Sequence, residues 1–462
     1  MHEFTQNLQV IILAAGQGTR MKSALPKVLH SVGSKPILEH VIDTARGLNA
    51  HAIHVVYGHG GEAVQQRLSH QAVNWVLQDA QLGTGHAVAQ AMPLLDDEQI
   101  ALILYGDVPL IRQETLDILI NAAGTQQLGL LTAHVPNPGG YGRIVRNEAG
   151  AVIRIVEEKD ANETQRDIKE INTGMLAVSV SLLRHWLTRL DDNNAQGEYY
   201  LTDIIGMAAA DGITINTCHP ASLCEIEGVN NKIQLAEIER AYQRQQADQL
   251  MLQGVTLMDP NRFDLRGELV VGQDVVIDTN VIIEGRVELG SNVHVGANSI
   301  IIDSIIADGV SIKPNCIVES AQVARGVEIG PFARVRPDTQ LGENVKVGNF
   351  VEIKKSIIAK GSKINHLSYI GDTVMGENVN IGAGTITCNY DGANKHKTLI
   401  GDNAFIGSDT QLVAPVEVGA GATIGAGSTI THDAPPRQLT LSRSAQKTRE
   451  GWKRPVKKSS DK

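Results

Sequence analysis

Aromatic residues and cysteines are scarce in this 462-residue chain. Phe, Trp and Tyr make up only 3% of the residues, whereas glycine occurs 45 times. A core with so few rings must be filled by small aliphatic side chains, and so many glycines indicate tight turns. The four cysteines, Cys218, Cys224, Cys316 and Cys388, show no C-x-x-C spacing. This disfavours a zinc site, offers no disulfide framework and favours a reducing cytoplasm.

The chain also lacks a long apolar run and an excess of positive charge. No run approaches the roughly 20 residues needed to span a bilayer, and residues 1–9 lack the basic start and long apolar stretch of a signal peptide. The formal net charge of −10 argues against a general nucleic-acid binder, although it permits local basic pockets for phosphates. We therefore expect a cytoplasmic protein whose partners are small molecules, with no membrane and no nucleic acid among them.

The length predicts two domains of about 200 residues each. From residue 8 to about 228, strand-like runs alternate with helical patterns, which predicts an α/β domain with a mostly parallel sheet. Residues 231–252 are rich in Glu, Gln, Arg and Ala and predict a linker helix, which ends before Pro260. We expect domains at 1–230 and 263–462, joined by 231–262. The clearest strands are 10–13, 53–56, 101–104 and 128–133, and the clearest helices are 37–48, 85–91 and 114–122.

From about residue 265 to 430 the apolar pattern changes to a period of six. An aliphatic residue recurs at Val271, Ile277, Ile283 and onward, a small or β-branched residue follows four positions later, and glycine often comes directly after the aliphatic one. Neither a helix nor an alternating strand has this period. It predicts a parallel β-helix in which three hexapeptides complete one triangular coil and glycine permits the tight turns. The interruption at 388–398 predicts a loop leaving the coil, where function is often found.

A glycine-containing loop follows the first predicted strand. Residues 10–21 read V-I-I-L-A-A-G-Q-G-T-R-M, and P-K-V-L follows at 26–29. This is neither the G-K-[ST] loop of P-loop proteins nor the G-x-G-x-x-G dinucleotide pattern. The glycines alone would equally suit a structural turn from strand to helix. Arg20 and Lys27 favour a loop that cradles a nucleotide.

Asp107 directly follows another apolar strand, in the sequence Tyr105-Gly106-Asp107. Open α/β sheets place ligands at the carboxyl ends of their strands, and a carboxylate with one amide oxygen suits a mostly hydrated Mg²⁺. A single Asp after a strand is also a common helix cap or turn residue. The motif around Asp107 must therefore decide whether it is a metal ligand.

The motif L-A-A-G-x-G-T-R-M with P-K-V-L resembles the signature of sugar-1-phosphate nucleotidyltransferases. Segments 83–87, 140–143, 172–174 and 227–231 extend this resemblance over almost the whole chain. The family is that of the bacterial bifunctional N-acetylglucosamine-1-phosphate uridyltransferases and glucosamine-1-phosphate acetyltransferases. It implies an α/β fold with a Rossmann-like N-terminal nucleotidyltransferase domain, a linker helix and a C-terminal left-handed parallel β-helix. It also implies a homotrimer, Mg²⁺ as cofactor, UTP and acetyl-CoA as co-substrates, and glucosamine-1-phosphate and N-acetylglucosamine-1-phosphate as substrates.

In the first domain the resemblance implies that Asp107 and Asn230 hold Mg²⁺ and that Arg20 and Lys27 are catalytic residues that hold phosphates. The sugar phosphate would attack the α-phosphate of UTP, so charge neutralisation and alignment should dominate, with no protein nucleophile. The residues assigned to the nucleotide and sugar are Leu13, Ala14, Ala15, Gly16, Lys27, Gln78, Gly83, Thr84, Tyr105, Gly106, Asp107, Gly142, Glu157, Asn172 and Asn230.

Acetyl transfer to an amine needs the amine unprotonated, which makes a histidine the natural base. A single histidine among fifteen is more often a surface residue, but 361–369 match the family's catalytic segment and assign His366 to this role. Ile364 and Asn365 are bulkier than the small residues expected there. The resemblance assigns Arg336, Lys354, Tyr369 and Asn380 to glucosamine-1-phosphate, and Ala383, Asn389, Tyr390, Ser408, Ala426 and Arg443 to acetyl-CoA.

Several alternatives stay open on sequence alone. The outward polar residues of the β-helix would also suit a solvated charged face, and the basic tail after Arg443 could bind CoA phosphates or be a solvated terminus. The chain could be a nucleotidyltransferase whose β-helix only regulates or oligomerises, which the intact set Lys354, His366, Asn389 and Tyr390 opposes. It could also be an assembly subunit with inactive domains, which the intact phosphate and Mg²⁺ residues oppose.

Overall fold

The computed structural model describes residues 7–16, 18–58, 61–124 and 126–457. It falls into two units, Met1–Gln245 and Gln246–Lys462. The division lies inside the helix Lys232–Leu252, which confirms the long helix expected there. The Asn231 side-chain oxygen accepts hydrogen bonds from the backbone N–H groups of Ile233 and Gln234, both at 2.9 Å. This cap explains where the helix begins, because the first N–H groups of a helix have no partner inside it.

Strands and helices alternate along the first unit, as the apolar patterns predict. The ends of the elements expected from the clearest patterns are correct to within two residues. The strands are β1 (Leu8–Leu13), β2 (Ser31–Val32), β3 (Lys35–Pro36), β4 (Ala52–Gly58), β5 (Asn74–Gln78), β6 (Ile100–Tyr105), β7 (Gln127–His134), β8 (Arg143–Arg146), β9 (Val152–Val156), β10 (Glu170–Ser179) and β11 (Thr214–Cys218). The helices are α1 (Ile37–Gly47), α2 (Glu62–Arg67), α3 (Thr84–Ala91), α4 (Gln113–Asn121), α5 (Glu163–Arg166), α6 (Val180–Leu187), α7 (Asp203–Ala210) and α8 (Lys232–Leu252).

The central sheet of this unit is mostly parallel. Its main path runs β11-β7-β10-β6-β1-β4-β5, and only β10 on this path is antiparallel to its neighbours. Along β1, Val10 and Ile12 pack into one apolar cluster and Ile11 and Leu13 into another. Alternate residues of a strand point to opposite faces, so both faces of the sheet are buried. The carboxyl ends of β1, β4, β5 and β6 therefore meet at one edge, where a ligand can reach them.

The second unit is a parallel β-helix, which confirms the hexapeptide interpretation. Phe263 pairs with Val281, eighteen residues on, and Ile300 pairs with Ile317, seventeen residues on. Each coil therefore contains three hexapeptides. Its strands are β12 (Thr256–Leu257), β13 (Phe263–Val271), β14 (Val276–Ile277), β15 (Val281–Leu289), β16 (His294–Val295), β17 (Ile300–Ile302), β18 (Ile305–Ile306), β19 (Ser311–Ile312), β20 (Ile317–Glu319), β21 (Ala321–Val323), β22 (Glu328–Ile329), β23 (Arg334–Val335), β24 (Thr339–Leu341), β25 (Lys346–Asn349), β26 (Glu352–Lys354), β27 (Ile357–Ile358), β28 (Lys363–His366), β29 (Tyr369–Gly371), β30 (Thr373–Met375), β31 (Asn380–Ile381), β32 (Ile386–Cys388), β33 (Thr398–Ile400), β34 (Phe405–Ile406), β35 (Gln411–Val413), β36 (Val416–Val418), β37 (Thr423–Ile424), β38 (Thr429–Ile430) and β39 (Leu439–Thr440).

Two parallel sheets wrap the interior of the coil. One has 11 strands, in the order β12-β14-β16-β19-β22-β25-β28-β31-β34-β37-β39. The other has 17 strands and forms the remaining faces. The predicted interior residues are buried, apart from the partly exposed Val271 at the first coil. Between β32 and β33 the coil lengthens, because Thr373 pairs with Thr398, twenty-five residues on. The predicted loop at 388–398 is therefore present.

The glycines of the hexapeptides have a different role from the one expected. Gly290 and Gly296 were expected to permit the turns, but neither is left-handed, and the non-glycine residues that are left-handed are mostly asparagine or aspartate, such as Asn292 and Asn298, with φ of 57° and 59°. Asparagine adopts this conformation more readily than other non-glycine residues. A Cβ on Gly290 would lie 2.5 Å from an oxygen of the Asp308 side chain, and one on Gly296 would lie 2.6 Å from the Pro314 backbone nitrogen. These glycines are therefore needed for the close approach of successive coils.

A buried polar row crosses the amino-terminal side of the sheet in the first unit. Gln9 donates from Nε2 to Gln99 Oε1 at 2.5 Å, and its Oε1 lies 2.8 Å from His54 Nε2. His54 therefore donates from Nε2 to Gln9. Burial, and then the charge of His51, lower the pKa of the His54 imidazole. An unfolded chain would accept a proton on this histidine near pH 6.5, whereas the folded chain resists it.

We predict that the stability of the first unit falls as the pH decreases below about 6.5, because the unfolded state then binds more protons than the folded state. Amide protection factors in β1 and β4 should fall between pH 7.5 and pH 5.5. In His54→Gln the fall should be smaller than in wild type, because glutamine does not titrate. In His294→Gln, which alters an exposed histidine of the other unit, the fall should equal that of wild type. An equal fall in wild type and His54→Gln would contradict the prediction.

Candidate functional site

A pocket of about 570 Å³ opens at the carboxyl ends of the parallel strands in the first unit. The backbone amide of Gly106 donates to Leu13 O at 2.9 Å and thereby joins the loops that follow β6 and β1. Gly18, in the loop after β1, has φ of 61°, and a Cβ there would lie 2.7 Å from that of Lys27. Ten of the residues expected to contact the nucleotide and sugar line this pocket: Leu13, Ala14, Ala15, Gly16, Lys27, Gln78, Gly83, Thr84, Tyr105 and Asp107. Gln17 of the predicted loop lies outside the described residues.

Four polar side chains meet at the mouth of this pocket. The ammonium of Lys27 lies 2.5 Å from Asp107 Oδ2 and 3.3 Å from Asn230 Oδ1. Arg20 donates to the same Asn230 oxygen at 3.0 Å. The backbone N–H of Val229 donates to Asp107 O at 2.9 Å, which fixes the loop carrying Asn230 against the loop carrying Asp107. Residues that are 210 positions apart in sequence, Arg20 and Asn230, are thus brought together.

The residues at this mouth fit a divalent cation. Asp107 and Asn230 each direct one oxygen at a shared position, where the Lys27 ammonium now balances the carboxylate. One carboxylate and one amide oxygen suit Mg²⁺, which keeps several waters and takes further ligands from substrate phosphates. Within residues 7–16, 18–58, 61–124 and 126–457, no three His, Cys, Asp or Glu side chains are grouped closely enough to hold a metal by themselves. The remaining ligands would therefore come from water and substrate.

Glu157 and Asn172 do not line the nucleotide pocket. Thr202 donates its hydroxyl to Glu157 Oε1 at 2.9 Å, and burial raises the pKa of the Glu157 carboxyl. The backbone N–H of Asn172 donates to Gly142 O at 2.8 Å. A Cβ on Gly142 would lie 3.3 Å from Glu157 Oε1. Gly142, Glu157 and Asn172 thus form one neighbourhood, and their common role at the sugar stays a prediction.

A second pocket, of about 250 Å³, lies beside the first and shares Tyr105 and Asp107 with it. Burial raises the pKa of the Tyr105 hydroxyl, and the charges of Glu157 and Asp107 add to this shift. Gly174 has φ of 87°, and a Cβ there would lie 2.4 Å from the Tyr105 ring. This glycine therefore leaves the room that the ring needs.

Sequence reasoning missed several residues of these pockets. Gln81 donates to Ala15 O at 2.5 Å and supports the glycine loop, and Glu198 lines the nucleotide pocket. Tyr141 and Thr173 line the second pocket. Tyr141 and Thr173 lie inside segments that carried the family resemblance, at 140–143 and 172–174, so position within those segments was a usable signal. Glu198 lies in no such segment, so the sequence contained no signal that it would line the pocket.

One corner of the β-helix carries the predicted histidine. The corner column consists of the residues two positions after the interior residue in successive strands of the 11-stranded sheet. Ala383 O accepts from Asp409 N at 2.7 Å, and Ser408 O accepts from Gly427 N at 2.8 Å, which links the coils along this column. Arg443 donates to Ala426 O at 2.8 Å and closes its far end. The column runs through Asn349, His366, Ala383, Ser408 and Ala426, so four residues expected to serve acetyl transfer stand in one row.

His366 itself is exposed, and its Nδ1 lies 2.9 Å from Asn349 Oδ1. Ile364, which appeared unusually bulky in sequence, is fully buried in the interior of the coil. Its side chain therefore points away from the face that His366 presents.

A second polar group lies on the 17-stranded sheet. Lys354 ends β26, and Tyr369 lies beside Glu352 on the next coil. Glu352 Oε1 accepts from Arg336 at 2.7 Å, which raises the pKa of the Arg336 guanidinium. A Cβ on Gly371 would lie 2.5 Å from the Tyr369 hydroxyl, so the glycine leaves the room that this hydroxyl needs.

The predicted loop folds back over this group. Asn389 was expected to project outward but is only 7% exposed, because its amide donates to Asp372 Oδ2 at 2.5 Å and lies 3.4 Å from the Tyr369 hydroxyl. Tyr390 is 60% exposed. Lys395, which sequence reasoning missed, lies beside Lys354, and this close contact together with the charge of Lys354 lowers the pKa of the Lys395 amine. Two adjacent ammonium groups are an arrangement that an anion would stabilise.

The expected acetyl-transfer residues do not all meet within one chain. Asn380 belongs to the 11-stranded sheet, where it pairs with Lys363, whereas Lys354 and Tyr369 belong to the 17-stranded sheet. No hydrogen bond or ion pair among the described side chains joins His366 to Lys354, Tyr369 or Asn389. The corner column and the sugar-phosphate group are therefore separate within this chain. Lys458, in the basic tail, lies outside the described residues.

Family models match both units. Residues 10–167 match the MobA-like NTP transferase domain, and residues 397–432 match the bacterial transferase hexapeptide (six repeats). Residues 265–349 and 321–391 match the GMPPB C-terminal domain. Together with the two sites, these matches define a transferase in which a nucleotidyltransferase unit precedes a hexapeptide-repeat β-helix.

Relatives that match nearly the full chain identify the family. The bifunctional protein GlmU of Marinobacter nauticus is 57% identical, with 97% of this chain and 99% of that protein covered. The GlmU proteins of Nitrosospira multiformis and Aromatoleum aromaticum are each 58% identical, with 98% of this chain covered and 98% and 99% of those proteins. The chain belongs to the GlmU family. It is a glucosamine-1-phosphate acetyltransferase and N-acetylglucosamine-1-phosphate uridylyltransferase of UDP-N-acetylglucosamine synthesis.

One solved structure, a nucleotidyl transferase from Methanothermobacter thermautotroptrophicus, has 18% identity and a TM-score of 0.38, covering 52% of this chain and 98% of that one. This similarity is too low to support any conclusion. No helix of the described residues is long and apolar enough to cross a membrane.

Proposed function

We propose that the pocket at the carboxyl edge of the first unit performs uridylyl transfer and that the corner column of the β-helix performs acetyl transfer. Acetylation comes first, because its product, N-acetylglucosamine-1-phosphate, is the substrate of the second reaction. The observation that carries the first assignment is the meeting of Lys27, Asp107 and Asn230 at the pocket mouth. The second assignment depends on the row of His366, Ala383, Ser408 and Ala426.

In uridylyl transfer a phosphate oxygen of the sugar attacks the α-phosphorus of UTP, and the bond to the β-phosphate breaks as pyrophosphate leaves. Arg20 and Lys27 neutralise the phosphates and hold them in line, which is the main requirement of phosphoryl-type transfer. Mg²⁺ bound by Asp107 and Asn230 would supply further charge neutralisation. Leu13, Gln78 and the other pocket residues hold the nucleotide, while Gly142, Glu157 and Asn172 serve the sugar.

In acetyl transfer the amine nitrogen of glucosamine-1-phosphate bonds to the acetyl carbon, and the carbon–sulfur bond breaks. His366 Nε2 takes the proton from the amine and returns it to the departing sulfur, so CoA leaves as the thiol. Successive coils stand about 4.8 Å apart, and the column from His366 to Ala426 therefore spans about 14 Å. This length suits the extended arm of acetyl-CoA, with its thioester at His366 and its phosphates towards Arg443.

The sugar phosphate would bind where Lys354 and Lys395 lie side by side, with Arg336 and Tyr369 around it. Asn380 and the corner column belong to another face of the same coils, so a site that uses all of them needs a second copy of the chain. A homotrimer formed through the β-helix meets this need. Asn389 and Tyr390, on the loop, would then contact the acetyl-CoA of a neighbouring subunit.

The functional domains proposed are 1–230, 231–262 and 263–462. The enzyme would act in the cytoplasm, a reducing compartment that suits the four free cysteines.

We predict that Asp107→Ala lowers uridylyl transfer by at least about a hundredfold, because the substitution removes the carboxylate that holds Lys27 and the cation. Acetyl transfer should remain. Pyrophosphate release and CoA release should be measured on the same preparation. Equal loss of both activities would indicate misfolding, whereas unchanged uridylyl transfer would count against the assignment.

His366→Ala should lower CoA release with glucosamine-1-phosphate by about a hundredfold to ten-thousandfold, because no base then accepts the amine proton. Uridylyl transfer from UTP should persist. A thiol-reagent assay, run with and without the amino-sugar phosphate, measures this directly. If CoA release is unchanged, His366 is not the base.

Lys395→Ala should raise the KM for glucosamine-1-phosphate about tenfold or more, because a charged hydrogen bond to the phosphate is lost. The matched control is Lys397→Ala, which removes an exposed lysine from the same loop. The KM for acetyl-CoA should change little in either variant. Similar sugar-phosphate KM values in the two variants would show that Lys395 does not hold the phosphate.

A further inference from the structure

The contact between Asn349 and His366 has a consequence for acetyl transfer. Asn349 ends β25 and His366 ends β28, and the two residues are register partners on neighbouring coils. Asn349 Oδ1 lies 2.9 Å from His366 Nδ1. An amide oxygen can only accept, so this contact places the proton on Nδ1 and leaves the lone pair of Nε2 free.

The main chain around His366 is fixed independently of this contact. The His366 carbonyl accepts from the Ser368 hydroxyl at 2.8 Å and from Gly384 N at 3.3 Å. The next residue, Leu367, donates its N–H to Asn349 O at 3.1 Å. The exposed ring, by contrast, has one hydrogen-bond partner among the described side chains, which is Asn349. Ring orientation and tautomer therefore depend on a single amide.

The frame of the β-helix does not itself require an amide at this position. Other coils place Ala297, Pro331 and Ala383 at the equivalent point of the corner column. The coil bearing Asn349 also approaches the next one closely, since a Cβ on Gly348 would lie 1.9 Å from Asn365 O. That approach brings the amide within hydrogen-bond distance of the ring.

We propose that Asn349 is the positioning residue of the acetyltransferase, which holds His366 in the tautomer and orientation that present Nε2 to the substrate amine. This proposal depends on the assignment of His366 as the base under the proposed function. Asn349 does not touch the reacting atoms. It acts as the third group that orients a base, as in other base-assisted transfers.

The test compares Asn349→Ala, Asn349→Asp and His366→Ala in the full-length chain, with CoA release measured from pH 5.5 to pH 9. Asn349→Ala should lower kcat at least about tenfold while the KM for acetyl-CoA changes little, because binding is retained and the base is disordered. Asn349→Asp should restore activity relative to Asn349→Ala, since a carboxylate accepts at the same place. It should also move the acidic limb of the pH–rate profile upward by about one unit, because the new negative charge stabilises the imidazolium.

A merely structural role for Asn349 would leave the pH–rate profile of Asn349→Asp unmoved, and that result would overturn the proposal. Full activity in Asn349→Ala would overturn it as well. Uridylyl transfer by each variant shows that the chain has folded, and Asn349→Asp keeps the test decisive if Asn349→Ala does not fold. Wild-type acetyl transfer by His366→Ala is a different outcome. It would show that His366 is not the base, and so would contradict the proposed function itself.

Discussion

The stacking of coils in register, seventeen or eighteen residues apart in most of the β-helix and twenty-five where the loop intervenes, is the constraint on which the proposed acetyl-transfer site depends. Each strand of the β-helix places its successor directly above it, about 4.8 Å away. Residues at equivalent positions of different coils therefore form straight rows without any local signal in the sequence. His366, Ala383, Ser408 and Ala426 form such a row although they are spread over sixty residues of chain. The glycines that permit close stacking are as important to this row as the aliphatic residues that fill the interior.

A different constraint positions the first site. The parallel strands β1, β4, β5 and β6 end at the same edge of the sheet, so the loops after them must converge. Lys27 and Asp107 come from two of these loops, and Asn230 comes from the segment that leads into α8. The Lys27 ammonium lies between the Asp107 and Asn230 oxygens, at the position proposed for the cation. In the proposed function, Lys27 would exchange its carboxylate partner for a phosphate.

The sequence predicted the fold well where a pattern repeats and poorly where a contact is made once. The six-residue period indicated the β-helix and its interruption, and alternation of apolar runs indicated the α/β unit. The roles of the glycines were wrong in part, because a period shows that Gly290 and Gly296 recur but not what a Cβ would meet on the next coil. Lys395 and Asn349 escaped notice for a related reason. Lys395 contacts Lys354 and Asn349 contacts His366, in each case a residue distant in sequence, and neither carries a motif of its own.

The position of Asn380 has a consequence for assembly. Interior residues point inward on every face, so a polar residue directly before one of them must point outward on the face of its own strand. Asn380 does so on the 11-stranded sheet, while Tyr369 does so on the 17-stranded sheet. A rigid coil cannot rotate one face towards the other, since the same hydrogen bonds that stack the coils hold both faces. In the proposed function one sugar contacts both residues, and a second copy of the chain supplies the face that the rigid coil cannot turn towards it.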